Sequence, residues 1–523
     1  MTNDSTVKQA AITDNSDISS AASVAAKSVS DNIHRNSRIE NLRIIRSLGI
    51  EPYPSVFKRL HDMRDLHEQY AGLDAGEETE DSVTIAGRIM AYRNSGMFMD
   101  ISGPDGRMQV FCHKAQLDDA QLELIKAFDL GDIIGVTGLM RRTPRGEITV
   151  NATQVTILTK TLLPLPEKHH GLTDIEVRYR QRYLDLIMNE DSRRTLLTRS
   201  KITSFIRQFL VDQGFVEVET PMLQPIPGGA SARPFVTHHN TLDQEFYLKI
   251  APELYLKRLM VGGLSEKIFE MNRCFRNEGM SVRHNPEFTM MELYQAYATY
   301  DDMMTLTETL VAAAAEKVLG HTNVTFEDKE LELKAPWARR SMADLVKDAT
   351  GVDFIAMPHG EAGREAAIAV AQTLGIHVAQ ADTWGKILLK IFEEKVEDTL
   401  IQPTHVIDMP LDVSPLARAH EDDPRLSRRF ETFVNGWEIA NAFSELTDPI
   451  DQRERFEAQV KDRESGDDEA QRMDEDFITA LEYGMPPTGG LGIGLDRLMM
   501  LLTNSSNIRD VIAFPTLRQK KIN

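Results

Sequence analysis

Three stretches of this 523-residue chain concentrate side chains able to do chemistry. The first, Ile268 to Tyr294, reads IFEMNRCFRNEGMSVRHNPEFTMMELY. It predicts a strand, a polar loop from Asn277 to Asn285 containing Gly279, and a second strand re-entered at Pro286. Side chains alternate faces along a strand, which puts Phe288, Met290, Glu292 and Tyr294 on one side. Arg276, Glu278, Arg283 and His284 crowd the mouth of the hairpin. A carboxylate set among Phe288, Met290, Met291, Leu293 and Tyr294 is costly without a partner. An exposed hairpin with a solvated tip does not account for it.

The second stretch is RFETFVNGWEIANAFSEL, 429–446. Asn435-Gly436 between apolar runs predicts a two-residue hairpin. In that register Val434 opposes Trp437, Phe433 opposes Glu438 and Glu431 opposes Ala440. Glu431 and Glu438 are then diagonal neighbours on one face, roughly 7–8 Å apart at Cβ. They either form an exposed acidic pair on an edge hairpin or flank a cation. A divalent cation suits the second case, because Mg²⁺ is held by one or two carboxylates with other oxygens completing its shell. Strict alternation puts Asn441 and Glu445 on the opposite face from Glu438. For all of them to line one pocket, a bulge is required between Ala440 and Glu445, and one is predicted there. The third stretch, PPTGGLGIGLDRLMMLL at 486–502, is a glycine-rich strand running into a helix near Asp496. A glycine-rich turn alone is a weak signal. Arg497, in the first helical turn, either reaches a phosphate or pairs with Asp496.

Several elements must position these groups. Residues 1–34 are rich in Ser, Ala, Asp and Thr and read as a disordered tail. Acidic residues and the absence of Arg before Arg35 argue against a mitochondrial transit peptide. Residues 35–80 form an N-terminal helical segment, with a stripe at Ile39, Leu42, Ile44, Ile45 and Leu48 closed by Gly49. Residues 81–160 give five strand-like runs, with Gly-Pro-Asp-Gly (103–106) and Thr-Pro-Arg-Gly (143–146) as turns and a helix at Asp118–Phe128 after the third run. That is the order of an OB barrel, whose open face binds oligonucleotides. On it, Phe98 and Gln109 either stack and hydrogen-bond a base or, for Phe98, fill the core.

Residues 161–182 read as a linker, in which Arg178, Arg180 and Arg182 meet either a nucleic-acid backbone or solvent, and His169 and His170 are surface residues. Thr198–Gln213 is an amphipathic helix. FVEVET then alternates as a strand stopped at Pro221, and Gly228-Gly229 leaves backbone amides open to a ligand. Glu253 sits just inside a helix start after Pro252, where a carboxylate also suits the helix dipole. Residues 350–421 read as a helical insertion and 461–476 as a charged, solvated loop or helix.

Composition sets limits. Net charge is −21, which excludes a uniformly basic, non-specific nucleic-acid binder but not a local RNA contact. Between Asp81 and Lys160 nine Lys/Arg balance nine Asp/Glu, so RNA contact there must rest on stacking and shape. Cys112 and Cys274, the two cysteines, lack metal-ligand spacing and fit a reducing compartment as small apolar residues. No apolar run approaches the ~20 residues that span a bilayer, and no signal-peptide pattern is present; a cytoplasmic location is expected.

FRNEG followed by RHNPEFTMMELY resembles motif 2 of class II aminoacyl-tRNA synthetases, in the form seen in bacterial-type lysyl-tRNA synthetases. GFVEVETPMLQPIPGGA resembles motif 1, and GLGIGLDR after Pro-Pro resembles motif 3. The resemblance covers roughly residues 36–518. It implies an α+β fold: a five-stranded OB barrel that reads an anticodon, plus a catalytic domain at 183–523 built on an antiparallel sheet flanked by helices. It also implies lysine activation by ATP, transfer to tRNA-Lys, Mg²⁺ with ATP, a homodimer organised by motif 1, and no membrane partner.

By resemblance, Arg276 bridges the amino-acid carboxylate and the α-phosphate, and Arg497 holds the γ-phosphate end. Glu278, His284, Asn285, Phe288, Glu431 and Gly494 also contact ATP, and Glu431 with Glu438 hold the metal. Gly229, Glu253, Arg276, Glu292, Tyr294, Asn441 and Glu445 hold lysine, with Glu253 on the α-ammonium. Phe98, Gln109 and Glu147 read the anticodon. Bacterial members often show Gly-Asn-Gly where this chain has Ala440-Asn441-Ala442, so two added methyls are expected to tighten the pocket floor. Aspartyl and asparaginyl enzymes share the layout, but an aspartyl pocket needs a cationic reader where this chain offers two acids and a phenol. A lysylase of elongation factor P lacks the barrel. A binding module with an inactive catalytic fold is the remaining alternative; loss of Arg276, Arg497 or a metal carboxylate would favour it, and all are present.

Overall fold

The computed structural model describes residues 33–166, 172–464 and 470–519. The chain divides into two compact units, Met1–Gly171 and Leu172–Asn523. Of the tail expected over 1–34, only 33–34 are described, and they open a helix over 33–47. His169, His170 and part of the charged run, 465–469, lie outside the described residues.

In the first unit, strands β1 (Glu78–Arg93), β2 (Phe98–Gly103), β3 (Gly106–Phe111), β4 (Ile133–Arg142) and β5 (Ile148–Thr159) close in the order β1-β2-β3-β5-β4. A helix at Asp119–Lys126 follows β3, capped by the Asp118 side chain. This is the expected OB arrangement. Alternation fills the interior with Ile85, Ile89, Met99, Ile101, Met108, Val110, Val136 and Val150. The 33–47 helix departs from its expected stripe. Leu42 and Ile45 are buried, whereas Ile44 and Leu48 stay 42% and 39% exposed. The helix buries Arg38 instead, whose guanidinium donates to Thr161 Oγ1 (2.7 Å) and Leu130 O (2.9 Å).

The second unit is built on one eight-stranded sheet. Its strands are β6 (Val216–Glu217), then, after a small sheet of β7 (Leu223–Gln224), β8 (Val236–His239) and β9 (Gln244–Leu248), β10 (Lys267–Phe275) and β11 (Glu287–Ala296). A hairpin of β12 (Asn323–Phe326) and β13 (Lys329–Glu332) precedes β14 (Ala338–Ser341), β15 (Thr404–Ile407), β16 (Arg429–Val434), β17 (Trp437–Ser444) and β18 (Thr488–Gly494). The sheet order is β14-β15-β16-β17-β18-β11-β10-β6. Only the end pairs, β14 with β15 and β10 with β6, are parallel. One face packs Met291, Leu293, Leu491 and Ile493 against helices at Glu190–Asp212, Tyr300–Leu319 and Leu495–Leu502. The other face is left hollow by Gly490, Gly492 and Gly494 of β18.

Four expectations change here. The stretch 404–407, inside the region read as a helical insertion, supplies β15, while helices Glu361–Thr373 and Trp384–Lys395 form a separate core. Arg182 is turned into the protein, and Arg178 is only partly exposed, its side chain 27% accessible. Arg182 is sealed at 1% exposure, paired with Asp185 at 2.6 Å and bonded to the carbonyls of Arg509, Ile512 and Ala513. Arg178 pairs with Asp185 at 2.8 Å and Arg180 with Glu176 at 2.8 Å. The β16–β17 bulge lies earlier than expected: Phe433 pairs Glu438 but Thr432 pairs Ala440, so Ile439 is the extra residue and Glu431 faces Asn441. The inserted residue shifts the alternation by one and turns Glu438, Asn441, Phe443 and Glu445 to the same side. Finally, Ala442 packs in the hydrophobic core under the sheet, and Ala440 borders both that core and the pocket.

Candidate active site: an acid-lined cavity over a glycine strand

The register sets side chains in rows across the hollow face. Glu292, Gly492, Asn441 and Glu431 form one row, and Tyr294, Gly490, Phe443 and Arg429 the next. Over them lies a cavity of about 450 Å³. Every residue expected to hold ATP, lysine or metal borders it: Gly229, Glu253, Arg276, Glu278, His284, Asn285, Phe288, Glu292, Tyr294, Glu431, Glu438, Asn441, Glu445, Gly494 and Arg497.

One end is dominated by buried acids. Glu253 opens the helix Glu253–Val261 behind Pro252. One turn on, Lys257 Nζ lies 2.6 Å from Glu253 Oε1 and in ion-pair contact with Glu445 Oε2. Glu445 Oε1 has no hydrogen-bond partner among the described residues. It hangs over Gly490, where a Cβ would sit 2.0 Å from it, so glycine is required there. Gly229 is needed on the facing loop: its φ is +86°, and a Cβ would come 2.8 Å from that of Glu253. Tyr294 Oη donates to Glu292 Oε2 at 3.1 Å. Burial, reinforced by the Glu253 carboxylate, pushes the Glu292 carboxyl up to about 8. Burial also raises Glu445 well above the usual carboxylate range, against the pull of Lys257.

The other end is cationic. Arg276 lies 5.1 Å over the Phe288 ring, its Nε buried without a hydrogen-bond partner among the described residues. Glu278 is exposed on the loop. Arg497 donates to Glu438 O (2.7 Å), to Glu438 Oε2 (3.2 Å) and to His284 Nε2 (2.9 Å). An arginine only donates. His284 is therefore neutral, with its proton on Nδ1, which donates to Ser281 Oγ at 2.8 Å. Burial and then the Arg497 charge lower its pKa in the same sense. Asp496 is not the partner of Arg497. It pairs with Arg199 and accepts from Thr289 N at 2.6 Å, locking the motif helix to β11. The Asn285 side chain is spent on the backbone, donating to Glu287 O (2.6 Å) and accepting from Thr516 N (3.3 Å).

Between the ends, Arg429 donates to Glu431 Oε1 (2.6 Å) and Asn441 Oδ1 (2.9 Å). The Glu431 carboxyl is pushed up to about 7, first by burial and then, against Arg429, by Glu438, Glu393 and Glu397. Such an excess of acid fits a cation. Among the described residues no three His, Cys, Asp or Glu side chains form a metal site, so an ion here takes its remaining ligands from a bound anion or water.

The residues expected to read an anticodon lie on the barrel. Phe98 is half-buried on the outer face and packs on Phe111, ring centroids 4.7 Å apart. It is therefore not a core residue. Gln109 is on the neighbouring strand, where its Oε1 accepts from Thr149 Oγ1 at 3.0 Å, while Glu147 O lies 3.2 Å from the same hydroxyl. Phe98 neighbours Gln109 through the β2–β3 pair, and Gln109 neighbours the start of β5, next to Glu147, through the β3–β5 pair. Arg141 covers the other end of this strip, 5.3 Å from the Phe111 ring.

Comparison with known families matches the model for tRNA synthetases class II (D, K and N) over residues 174–518 and that for the OB-fold nucleic acid binding domain over 83–158. The chain belongs to the class II tRNA synthetases. Among its relatives, the lysine–tRNA ligase of Sinorhizobium medicae is 54% identical over 92% of this chain and 96% of its own length. Those of Oceanobacillus iheyensis (55%, over 94% and 99%) and Bacillus subtilis (53%, over 92% and 97%) are similar to the same extent. Among the described residues of this synthetase, no helix is long and apolar enough to cross a membrane. Both cysteines are buried and unpaired, and burial pushes each thiol up to about 12, which leaves them inert.

Sequence reasoning missed Lys257, Arg429, Phe443 and Arg199. Lys257 sits in ELYLKRLM, where it reads as an ordinary surface lysine of an amphipathic helix. The i,i+4 spacing from Glu253 was a usable signal for the pair, but not for Glu445.

Proposed function

We propose that this synthetase is a lysine–tRNA ligase. It joins L-lysine and ATP to form lysyl-adenylate and pyrophosphate, then transfers the lysyl group to the 3′-terminal adenosine of tRNA-Lys with release of AMP. The observation that carries the amino-acid assignment is the charge at the closed end. Three carboxylates, Glu253, Glu292 and Glu445, face one buried ammonium, Lys257. Two positive charges are wanting, and lysine brings two ammonium groups. Glu253 takes the α-ammonium, while Glu292 and Glu445, with Tyr294 and Asn441, take the ε-ammonium. The Gly229 loop closes over the substrate.

Arg276 bridges the amino-acid carboxylate and the α-phosphate, so that two anions can approach in line. Its unpartnered Nε supports that role. Phe288 stacks adenine on the ring face that Arg276 leaves free, and Glu278 holds the base's amino group. Arg497, with neutral His284 accepting from it, holds the γ-phosphate end over Gly494. Glu431 and Glu438 hold the Mg²⁺ that accompanies ATP, which supplies charge neutralisation at the phosphates. Asn285 shapes the loop by its backbone bonds while bordering ATP. No side chain forms a covalent intermediate. On the barrel, Phe98 stacks an anticodon base, and Gln109 and Glu147 bond its edge.

The enzyme works as a cytoplasmic homodimer. The edge strand β6, with Val216 44% exposed and Leu223 nearby 45% exposed, supports motif 1 as the contact. Purified protein given ATP, lysine and tRNA-Lys is expected to yield lysyl-tRNA. Uncharged tRNA under those conditions would overturn the reading.

A further inference from the structure

Lys257 takes no part in the reaction described above, yet it is wholly buried. Its Nζ lies behind the cavity wall, 2.6 Å from Glu253 Oε1, in contact with Glu445 Oε2, and 5.3 Å from the centroid of the Phe443 ring. The two acids come from separate places: Glu253 starts a helix and Glu445 follows β17. Unbridged, two buried carboxylates repel and each seeks a proton. One ammonium thus ties together the groups assigned to the two ends of the substrate. Glu253 lies against the Gly229 loop, and Glu445 Oε1 occupies the space over the bare backbone of Gly490 that a Cβ there would fill. Their separation therefore has little freedom while Lys257 stays charged.

We propose that Lys257 is a positioning residue that sets the span between Glu253 and Glu445, and so selects the chain length of the diamino acid that the cavity accepts. This rests on the lysine reading of the cavity. A substrate one methylene shorter cannot place both ammonium groups at once while that span is fixed; when the bridge is removed, the span relaxes and the penalty falls.

The test is ATP–pyrophosphate exchange with lysine and with ornithine, by wild type, Lys257→Met and Lys257→Arg. Lys257→Met is expected to raise KM for lysine by about 30-fold or more and to narrow the lysine-over-ornithine ratio of kcat/KM by about tenfold, with KM for ATP within about threefold. Lys257→Arg, which keeps the charge, is expected to restore part of the ratio. An unchanged ratio in folded Lys257→Met overturns the proposal, even if KM rises. If Lys257→Met does not fold by circular dichroism, Lys257→Gln replaces it. Loss of fold in both assigns the ion cluster to stability alone and also overturns the proposal. A wild type without lysine-dependent exchange would instead remove the ligase reading itself.

Discussion

Replacing Glu445 with glutamine keeps the side-chain volume and removes one buried charge. Glu445 Oε1 has no hydrogen-bond partner among the described residues, and Oε2 contacts Lys257. The bound ε-ammonium therefore loses a carboxylate, while Lys257 keeps Glu253 at 2.6 Å. Breaking one side of a buried ion pair costs about 3–5 kcal/mol. At about 1.36 kcal/mol per decade this is roughly two to four decades in kcat/KM. The amide oxygen still accepts a hydrogen bond and Glu292 remains, which places the effect near the lower end, roughly 100-fold. The groups assigned to ATP, Arg276, Phe288 and Arg497, make no contact with Glu445, so KM for ATP should stay within about threefold. The assay is lysine-dependent ATP–pyrophosphate exchange at saturating ATP, then at saturating lysine. A lysine effect below about fivefold, or an equal rise in both KM values, would refute the reasoning.

Three further outcomes are expected. Because Glu292 is held mostly protonated below about 8, lysine must displace a proton, and its KM should fall as pH rises from 6 to 8, by up to about tenfold per unit, then level off. The raised pKa also means that the lysine-free protein loses stability as pH climbs towards that value, so the rise in Tm on adding lysine should grow over the same range; a flat KM profile would count against Glu292 as a ligand. Gly490→Ala puts a methyl 2.0 Å from Glu445 Oε1, whereas the nearest atom for Gly492→Ala is the flexible Met290 Cε at 3.2 Å. The first should cut kcat/KM for lysine by about 100-fold or more and the second by less than about tenfold; equal effects would remove Glu445 from the pocket floor. Phe98→Ala should raise KM for tRNA by roughly tenfold, within the 1–3 kcal/mol of a base stack, and leave exchange without tRNA at the wild-type rate; unchanged tRNA kinetics would return Phe98 to a packing role.

Much of this site is legible in the sequence because its elements carry local signals. The Gly-Pro-Asp-Gly turn marks the barrel's second hairpin, Asn435-Gly436 fixes the β16–β17 turn, and Pro286 marks the re-entry into β11. What stayed hidden depends on groups distant in sequence. The bulge at Ile439 interrupts a run that period-two alternation reads straight through, so the need for a bulge was visible but its position was not. Arg182 resembles an exposed base in RYRQRY until the 509–513 carbonyls surround it. Asp496 stands next to Arg497, but side chains at i and i+1 on a helix point apart, and its partner is Arg199. Lys257 is the sharpest case, since the second acid that makes its burial tolerable, Glu445, lies far away in sequence.

The most direct test of the account is ATP–pyrophosphate exchange by the purified protein with lysine, aspartate, asparagine and norleucine side by side. Three buried carboxylates against one buried ammonium predict exchange with lysine and at least about 10³-fold less with each of the others. Exchange with aspartate or asparagine at a rate near that of lysine, or with none of the four, would contradict it.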